Sequence, residues 1–319
     1  MNAPTPRDLA SSLLPPTLAA LLATLALAAT LLLGLPHALA AQDDGLRVYI
    51  SADMEGVTGA VSGEQLGPSG FEYARFRGFL TDEVLAAIDA AREAGAVEIL
   101  VSDSHGNGQN LLLERMPADV MVVRSWPRPL AMMEGIDARF DAAIFLGYHT
   151  STANTRGVRA HTMSSANLTG LRLNGREHAE AGVNAAIAGH FGDPVVMISG
   201  EDAIVEEARA MVGDLEGAVV KWSLGFHSAR TLTPEAGRAL IHERVAAALA
   251  RLDDFEPYRL DGPVTLELSY KNYLPAEILS YLPSVERADA HTIRWTGADM
   301  TEVSRFLQVA TNYAANRAP

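Results

Sequence analysis

The sequence predicts an α/β protein, a mostly parallel sheet covered by helices on both faces, with a second, smaller α+β domain. Three observations lead there. Short apolar runs at residues 47–52, 97–102, 120–123, 142–146 and 195–199 are continuous rather than alternating, as strands covered on both faces are. Helical or loop segments separate these runs, the arrangement that builds parallel sheets. After Pro257 the texture changes, and residues 264–270 (VTLELSY) alternate apolar and polar side chains as a half-buried strand does.

The first forty residues stand apart. Residues 17–35 carry no charge and are followed by Pro36 and the small-residue triplet Ala38-Leu39-Ala40, which predicts a secretory signal cleaved before Ala41. Arg7 is the only positive side chain ahead of the run and Asp8 cancels it, while the run is long enough to span a bilayer, so an uncleaved membrane anchor through residues 17–35 is the alternative. Either way the rest of the chain is expected to be exported, to the periplasm. The strand at 47–52 leads through a loop to a helix over 71–94, where Phe79, Val84, Leu85 and Ile88 keep helical spacing and Gly95 supplies the stop. Asn174-Gly175 signals a hairpin turn. A helix is expected to open near Glu180, and Thr233 with Pro234 caps another that continues through Ala236, Leu240, Val245, Ala248 and Leu252. Beyond the strand at 264–270 follow a short helix at 276–282, a strand at 292–295 and a helix over 299–315. The domains are therefore drawn at 46–255 and 256–319.

The chain has 319 residues, 48% hydrophobic and 20% charged, enough to bury a large core and too apolar to be disordered. Its net charge of -14 opposes phosphate backbones, so no nucleic-acid partner is expected. With zero Cys there is no thiolate nucleophile or zinc-thiolate site, and any metal must be held by His, Asp and Glu.

Those residue types gather where strands end. Asp53-Met54-Glu55-Gly56 follows the first strand, Asp103-Ser104-His105-Gly106 the second, and Gly147-Tyr148-His149 a later one. An acid or imidazole after a strand is most often a turn, a cap or a hydrogen-bonded rim residue. Open parallel sheets, however, bind ligands at the carboxyl ends of their strands, so three such clusters should converge on one site. Two carboxylates and two imidazoles suit zinc, manganese or a similar divalent ion. Asp103 is expected to accept the second ring N–H of His105, and Glu201-Asp202 to steady other ligands. Downstream, His161 lies in an aperiodic segment. Glu177, His178 and Glu180 open a helix, where carboxylates also suit the positive end of its dipole.

The order D-x-E-G, D-S-H, G-Y-H, H-x-M and then G-R-x-x-x-E-x-G-x-N-A resembles the DppA-type zinc D-aminopeptidases, long labelled dipeptide transport proteins, over residues 47–315. The resemblance implies two Zn2+ per subunit, with Asp53 bridging the ions, Glu55, His105, His149 and Glu180 completing the metal ligands, and His161 as the catalytic histidine. It also implies a homo-oligomer, a decamer of two pentameric rings, acting on short peptides, D-Ala peptides among them. Two zinc ions against three carboxylates leave one positive charge for a hydroxide, the nucleophile expected at neutral pH. His161 then moves a proton to the leaving amine or stabilises the tetrahedral oxyanion. The rival readings are a peptide-binding transport protein and a dinuclear metallohydrolase acting on another amide or a phosphoester.

Overall fold

The structure, a computed structural model, describes residues 45–313; the export or anchor segment at 1–40, with its apolar run 17–35, lies outside the described residues, as do residues 314 and 315 of the helix expected over 299–315. In chain order the elements are β1 (Leu46–Ala52), α1 (Gly63–Leu66), α2 (Tyr73–Glu93), β2 (Ala96–Asp103), β3 (Met121–Val123), β4 (Ala142–Tyr148), β5 (Leu168–Leu173), β6 (Arg176–Glu177), α3 (Glu180–Phe191), β7 (Val195–Glu201), α4 (Asp202–Val212), β8 (Glu216–Gly225), β9 (Ser228–Thr231), α5 (Pro234–Leu249), β10 (Val264–Tyr270), α6 (Tyr273–Leu279), β11 (Glu286–Arg287), β12 (Thr292–Gly297) and α7 (Met300–Asn312).

Seven strands form the main sheet in the order β3-β2-β1-β4-β7-β8-β9. All its pairings are parallel except β8 with β9. The continuous apolar runs are explained by two cores, one on each face. Val48, Ile50 and Ala52 of β1, with Ile144 and Leu146 of β4, face Leu80, Val84 and Ile88 of α2 and Ile241 and Val245 of α5. Tyr49, Phe145 and Tyr148 turn the other way, toward α3 and toward Ile204 and Val205 of α4. Burying each such aliphatic side chain contributes about 1.5–3 kcal/mol. α3 is buried on nearly every side, with Gly182, Val183, Ala185, Ala186, Ile187 and Ala188 all inaccessible, as a helix wrapped by protein must be. Thr233 caps α5 by accepting from the Ala236 N–H, with Pro234 at the first helical position, as expected.

The second sheet, β11-β12-β10-β5-β6, is antiparallel throughout. Val264, Leu266, Leu268 and Tyr270 alternate into the core beneath it with Val303 and Leu307 of α7. The Asn174-Gly175 turn joins β5 to β6, both residues at positive φ (49° and 78°), as a two-residue hairpin of this twist requires. β5 and β6 come from residues 168–177 and pair into this second sheet, which therefore draws strands from both sides of residue 255. The other strands absent from the sequence reading are β8 and β9, which complete one side of the main sheet, and the two-residue β11 at the edge of the second.

In the main sheet the chain runs outward from β1 to β2 and β3, then returns to lay β4 on the other flank of β1. Connections therefore leave the carboxyl ends of β1 and β4 in opposite directions and open a crevice between them, the place where such sheets bind ligands.

Candidate metal centre

At that crevice the turn after β1 crosses the end of β4 in direct backbone contact. Asp53 N–H donates to Leu146 O at 2.8 Å and Gly56 N–H to Gly147 O at 2.6 Å. Glycine is required on both sides. A Cβ on Gly147, whose φ is +68°, would lie 2.2 Å from Asp53 O, and one on Gly56 would lie 2.1 Å from Tyr148 O. Ser104 N–H donates to Ala52 O at 2.8 Å and draws the end of β2 alongside. The three strand-end clusters therefore meet.

All six residues singled out above converge. His105 Nδ1 lies 2.8 Å from Glu55 Oε2 and 3.1 Å from Asp53 Oδ1. His149 Nε2 lies 3.4 Å from Asp53 Oδ2 and 3.5 Å from Glu180 Oε2. His161 Nε2 is 3.7 Å from Glu180 Oε1, and its ring stacks on that of His149 with centroids 4.0 Å apart. Glu180 is the first residue of α3, so it sits at the positive end of the helix as well as in the cluster. Asp53 is 2% exposed, Glu55 and Glu180 5%, and His149 1%. Charges this deep must be compensated within the site.

The histidines are wired alike. A backbone carbonyl can only accept, so His105 donates Nε2–H to Leu66 O at 2.6 Å, His149 donates Nδ1–H to Thr150 O at 3.0 Å, and His161 donates Nδ1–H to Arg159 O at 2.8 Å. Each ring thus turns its remaining nitrogen toward a carboxylate, the arrangement second-shell carbonyls impose on metal-ligating imidazoles. Leu66 ends α1, which is closed at its other end by a reciprocal cap between Ser62 and Gln65. Arg159 and Met163 hold positive φ (58° and 59°) on either side of His161, and Met163 N–H donates to Glu180 Oε1 at 2.6 Å. Such backbone costs about 1–3 kcal/mol per residue and accumulates at functional sites.

Buried carboxylate oxygens and an imidazole nitrogen face one another across the cluster. Asp53 Oδ2, Glu55 Oε2 and His149 Nε2 make no hydrogen bond. Donor atoms of Asp53, Glu55 and His149 lie within 4.8 Å of one another, and so do those of His149, His161 and Glu180. Oxygen and imidazole donors so arranged fit divalent zinc, which takes both. The charges of the cluster act strongly on one another. Burial, reinforced by Glu55, pushes the Asp53 carboxyl up to about 7. Burial would raise Glu55 as well, but His105 holds it well below the usual carboxylate range. Burial would lower the imidazoles, yet Glu55 holds His105 and Glu180 holds His149 well above the usual value. Of the three imidazoles in the cluster His161 alone is depressed, by burial and by the charge of His149.

Two supporting roles differ from expectation. Asp103 does not reach His105. It accepts from Asn110 N–H, Leu111 N–H and Asn110 Nδ2 at 2.5, 2.8 and 2.7 Å, because the loop after β2 turns its amides back onto the strand end. Asn110 Nδ2 in turn donates to His105 O at 2.7 Å, so Asp103 steadies His105 through the loop. Glu201 takes the N–H of Thr150 at 3.3 Å and Asp202 that of Ser223 at 3.0 Å, neither touching a histidine ring. Glu177 and His178 stay outside the cluster: Glu177 pairs with Arg172 at 3.4 Å and His178 Nε2 meets the Tyr258 hydroxyl at 3.0 Å.

Sequence reading missed the groups beneath the 53–60 turn. Lys221 of β8 and Glu83 of α2 are buried there, and Glu83 Oε1 accepts Thr58 N–H at 2.9 Å. Burial pushes the Glu83 carboxyl from 4.5 up to about 7, against the hydrogen bonds from Thr58. An acid raised in the folded state gives its full stability below its unfolded pKa and loses it as pH rises through the folded one. Here the loss falls between pH 4.5 and about 7 and amounts to something on the order of 3 kcal/mol. Glu83→Gln is expected to remove that slope and to be more stable than the wild type at pH 8. Denaturant midpoints measured at pH 5 and pH 8 check it, and an identical pH slope in both proteins would refute it.

Above the cluster opens a cavity of about 900 Å³. Asp53, Glu55, His105, His161 and Glu180 form its floor, Trp126 and Met163 flank it, and Gln308, Thr311 and Asn312 of α7 close the far wall. Among the described residues, no lysine or arginine lines it.

The model of the D-aminopeptidase family matches residues 46–309. The D-aminopeptidase of Bacillus subtilis (strain 168) is 31% identical over 273 residues, covering 84% of this chain and 98% of the relative. Among solved structures, the Zn-dependent D-aminopeptidase DppA from Bacillus subtilis, described as a self-compartmentalizing protease, superposes with a TM-score of 0.81 at 29% identity, over 86% of this chain and all of that one. A sheet that opens at β1 and β4, a buried cluster of carboxylates and imidazoles in that opening, and a match that spans almost all the described residues lead to one assignment: this chain belongs to the D-aminopeptidase family and is a metallo-aminopeptidase.

Proposed function

We propose that the chain removes the N-terminal residue of short peptides, D-Ala peptides among them, at a centre of two zinc ions, as a homo-oligomer exported to the periplasm. The carrying observation is the two-sided placement of Asp53. Its Oδ1 faces His105 beside Glu55, and its Oδ2 faces His149 beside Glu180. One carboxylate between two ligand sets is what a bridging ligand requires. When bound, two zinc ions would supply the Lewis acidity that lets a water lose its proton near neutral pH and that polarises a scissile carbonyl.

The remaining work falls to the chain's own groups. His161, pinned through Nδ1–H and depressed in pKa, presents a neutral, unprotonated Nε2 to the cavity floor and so can accept a proton from the attacking water and then hand it to the departing amine. The carboxylates of the floor attract a free α-amine, and among the described residues no lysine or arginine lines the cavity to grip a phosphate beside the ions, which disfavours the phosphoester reading. A pure binding protein would have no use for an imidazole so placed. The periplasmic location rests on residues 17–40, and the oligomer on likeness to the self-compartmentalizing relative.

A panel of D- and L-alanyl amides, D-Ala dipeptides and a phosphomonoester, assayed on the purified protein with and without chelator, tests the reading. D-Alanyl substrates should be cleaved, chelation should abolish cleavage and zinc should restore it. Activity on the phosphomonoester alone, or peptide cleavage indifferent to chelation, would end it.

A further inference from the structure

We propose that Lys221 is a positioning residue for the metal centre: its ammonium, closed inside the 53–60 turn, sets where Glu55 stands and ties that turn to β8. The inference rests on the two-zinc reading above. Lys221 is fully buried, and Nζ donates to three backbone carbonyls, those of Glu55, Val57 (3.3 Å) and Ala60 (2.7 Å). An ammonium has three N–H donors and no acceptor, so this cage of carbonyls uses all of them. No neutral side chain of similar length can satisfy three converging carbonyls, and leaving them unpaired in the interior is costly.

The same residue stands beside a group that supports the other half of the site. In the sheet Lys221 stands in register with Glu201, whose carboxylate holds the N–H of Thr150, the residue after His149. Glu83 grips the turn from the opposite side through Thr58 N–H. A buried layer of Glu83, Lys221 and Glu201 therefore lies under both ligand sets, reaching the Asp53–Glu55 turn directly and the His149 segment through Glu201. Its single positive charge also offsets the repulsion between Asp53 and Glu55, held one residue apart away from water. The layer touches the backbone of Glu55 and of residues close to the other ligands and leaves the ligand donor atoms free, as outer groups that orient metal ligands do.

The test compares the zinc-loaded full chain with Lys221→Met and Lys221→Arg, reading zinc affinity by competition with a chromophoric chelator and ligand geometry by the visible spectrum of the cobalt-substituted protein. Lys221→Met is expected to weaken at least one ion by about 10- to 100-fold, as loss of such outer partners does. It should also shift the cobalt bands and lower kcat more than it changes KM, with Lys221→Arg recovering part of the affinity. Leu268→Ala, in the fully buried core under the second sheet, supplies the comparison: it should lower stability and leave the cobalt spectrum untouched. Wild-type affinity and spectrum in Lys221→Met would overturn the proposal even if its stability drops.

Should Lys221→Met not fold, Lys221→Cys places the sole thiol in a chain with zero Cys, and aminoethylation in denaturant followed by refolding with zinc rebuilds a lysine-like ammonium at that position. Affinity recovered by aminoethylation and not by carbamidomethylation supports the proposal; equal affinity in the two refutes it. A wild type that holds a single ion would defeat the two-zinc reading, while the affinity for that ion in wild type and Lys221→Met still decides the role of Lys221.

Discussion

His161→Ala is expected to lower kcat by about 10²- to 10⁴-fold, the contribution of a well-placed proton-transfer group, while the zinc content of the protein stays that of the wild type. The imidazole borders the cavity, donates Nδ1–H to Arg159 O at 2.8 Å and keeps Nε2 toward Glu180 at 3.7 Å. That separation is the longest in the cluster, and His161 is the only histidine of the three whose pKa is depressed. Both facts suit a group that stays neutral to exchange a proton with substrate. Its Nε2 nonetheless falls within the 4.8 Å set that includes His149 and Glu180, so a ligand role is the competing account. Measuring metal by mass spectrometry alongside kcat separates the two. A variant that loses zinc together with activity would make His161 a ligand and sink the proton-transfer role; full activity would remove it from the mechanism.

How much of this could be read from the chain depended on what each residue's partner is. Asp53, Glu55, His105 and His149 were legible because each directly follows an apolar run, and a parallel sheet brings its strand ends together whatever their spacing in sequence. Glu180 and His161 were legible only through the resemblance, since an acid in the first turn of a helix reads equally as dipole compensation and a histidine in an aperiodic loop carries no pattern. Lys221 was not legible. In EGAVVKWSLG a lysine looks like one residue of a solvent-facing edge, and its partners are carbonyls, which every residue has. Asp103 misled for the same reason, because the amides of Asn110 and Leu111 leave no mark in sequence. β5 was reduced to the turn that ends it, since LTGLRL finds its register only against β10, far along the chain.

Asp53→Asn should cost more than any other single change in the site. The substitution keeps the size of the side chain and an oxygen that can still accept Met54 N–H, which Asp53 Oδ1 does at 2.8 Å. What it removes is the second anionic oxygen, leaving an amide between His105 and His149 that cannot hold two cations. Loss of at least one zinc ion and a fall in kcat/KM of more than about 10³-fold, some 4 kcal/mol of transition-state stabilisation, are expected. Stability should move the opposite way in the metal-free protein. Burial raises the Asp53 carboxyl from 3.8 to about 7, so its contribution to stability is complete below 3.8 and is lost as pH rises through about 7. At pH 8 the metal-free variant, relieved of a buried charge, should therefore unfold at a higher temperature than the metal-free wild type. Adding zinc should reverse the order, because ions that bind only the folded wild type stabilise it by mass action. Thermal unfolding of both proteins at pH 8, with zinc and with chelator, reads this crossing directly. A variant that retains two ions and its activity would show that Asp53 bridges nothing, and a metal-free variant less stable than the wild type would show that its carboxylate is compensated within the protein alone.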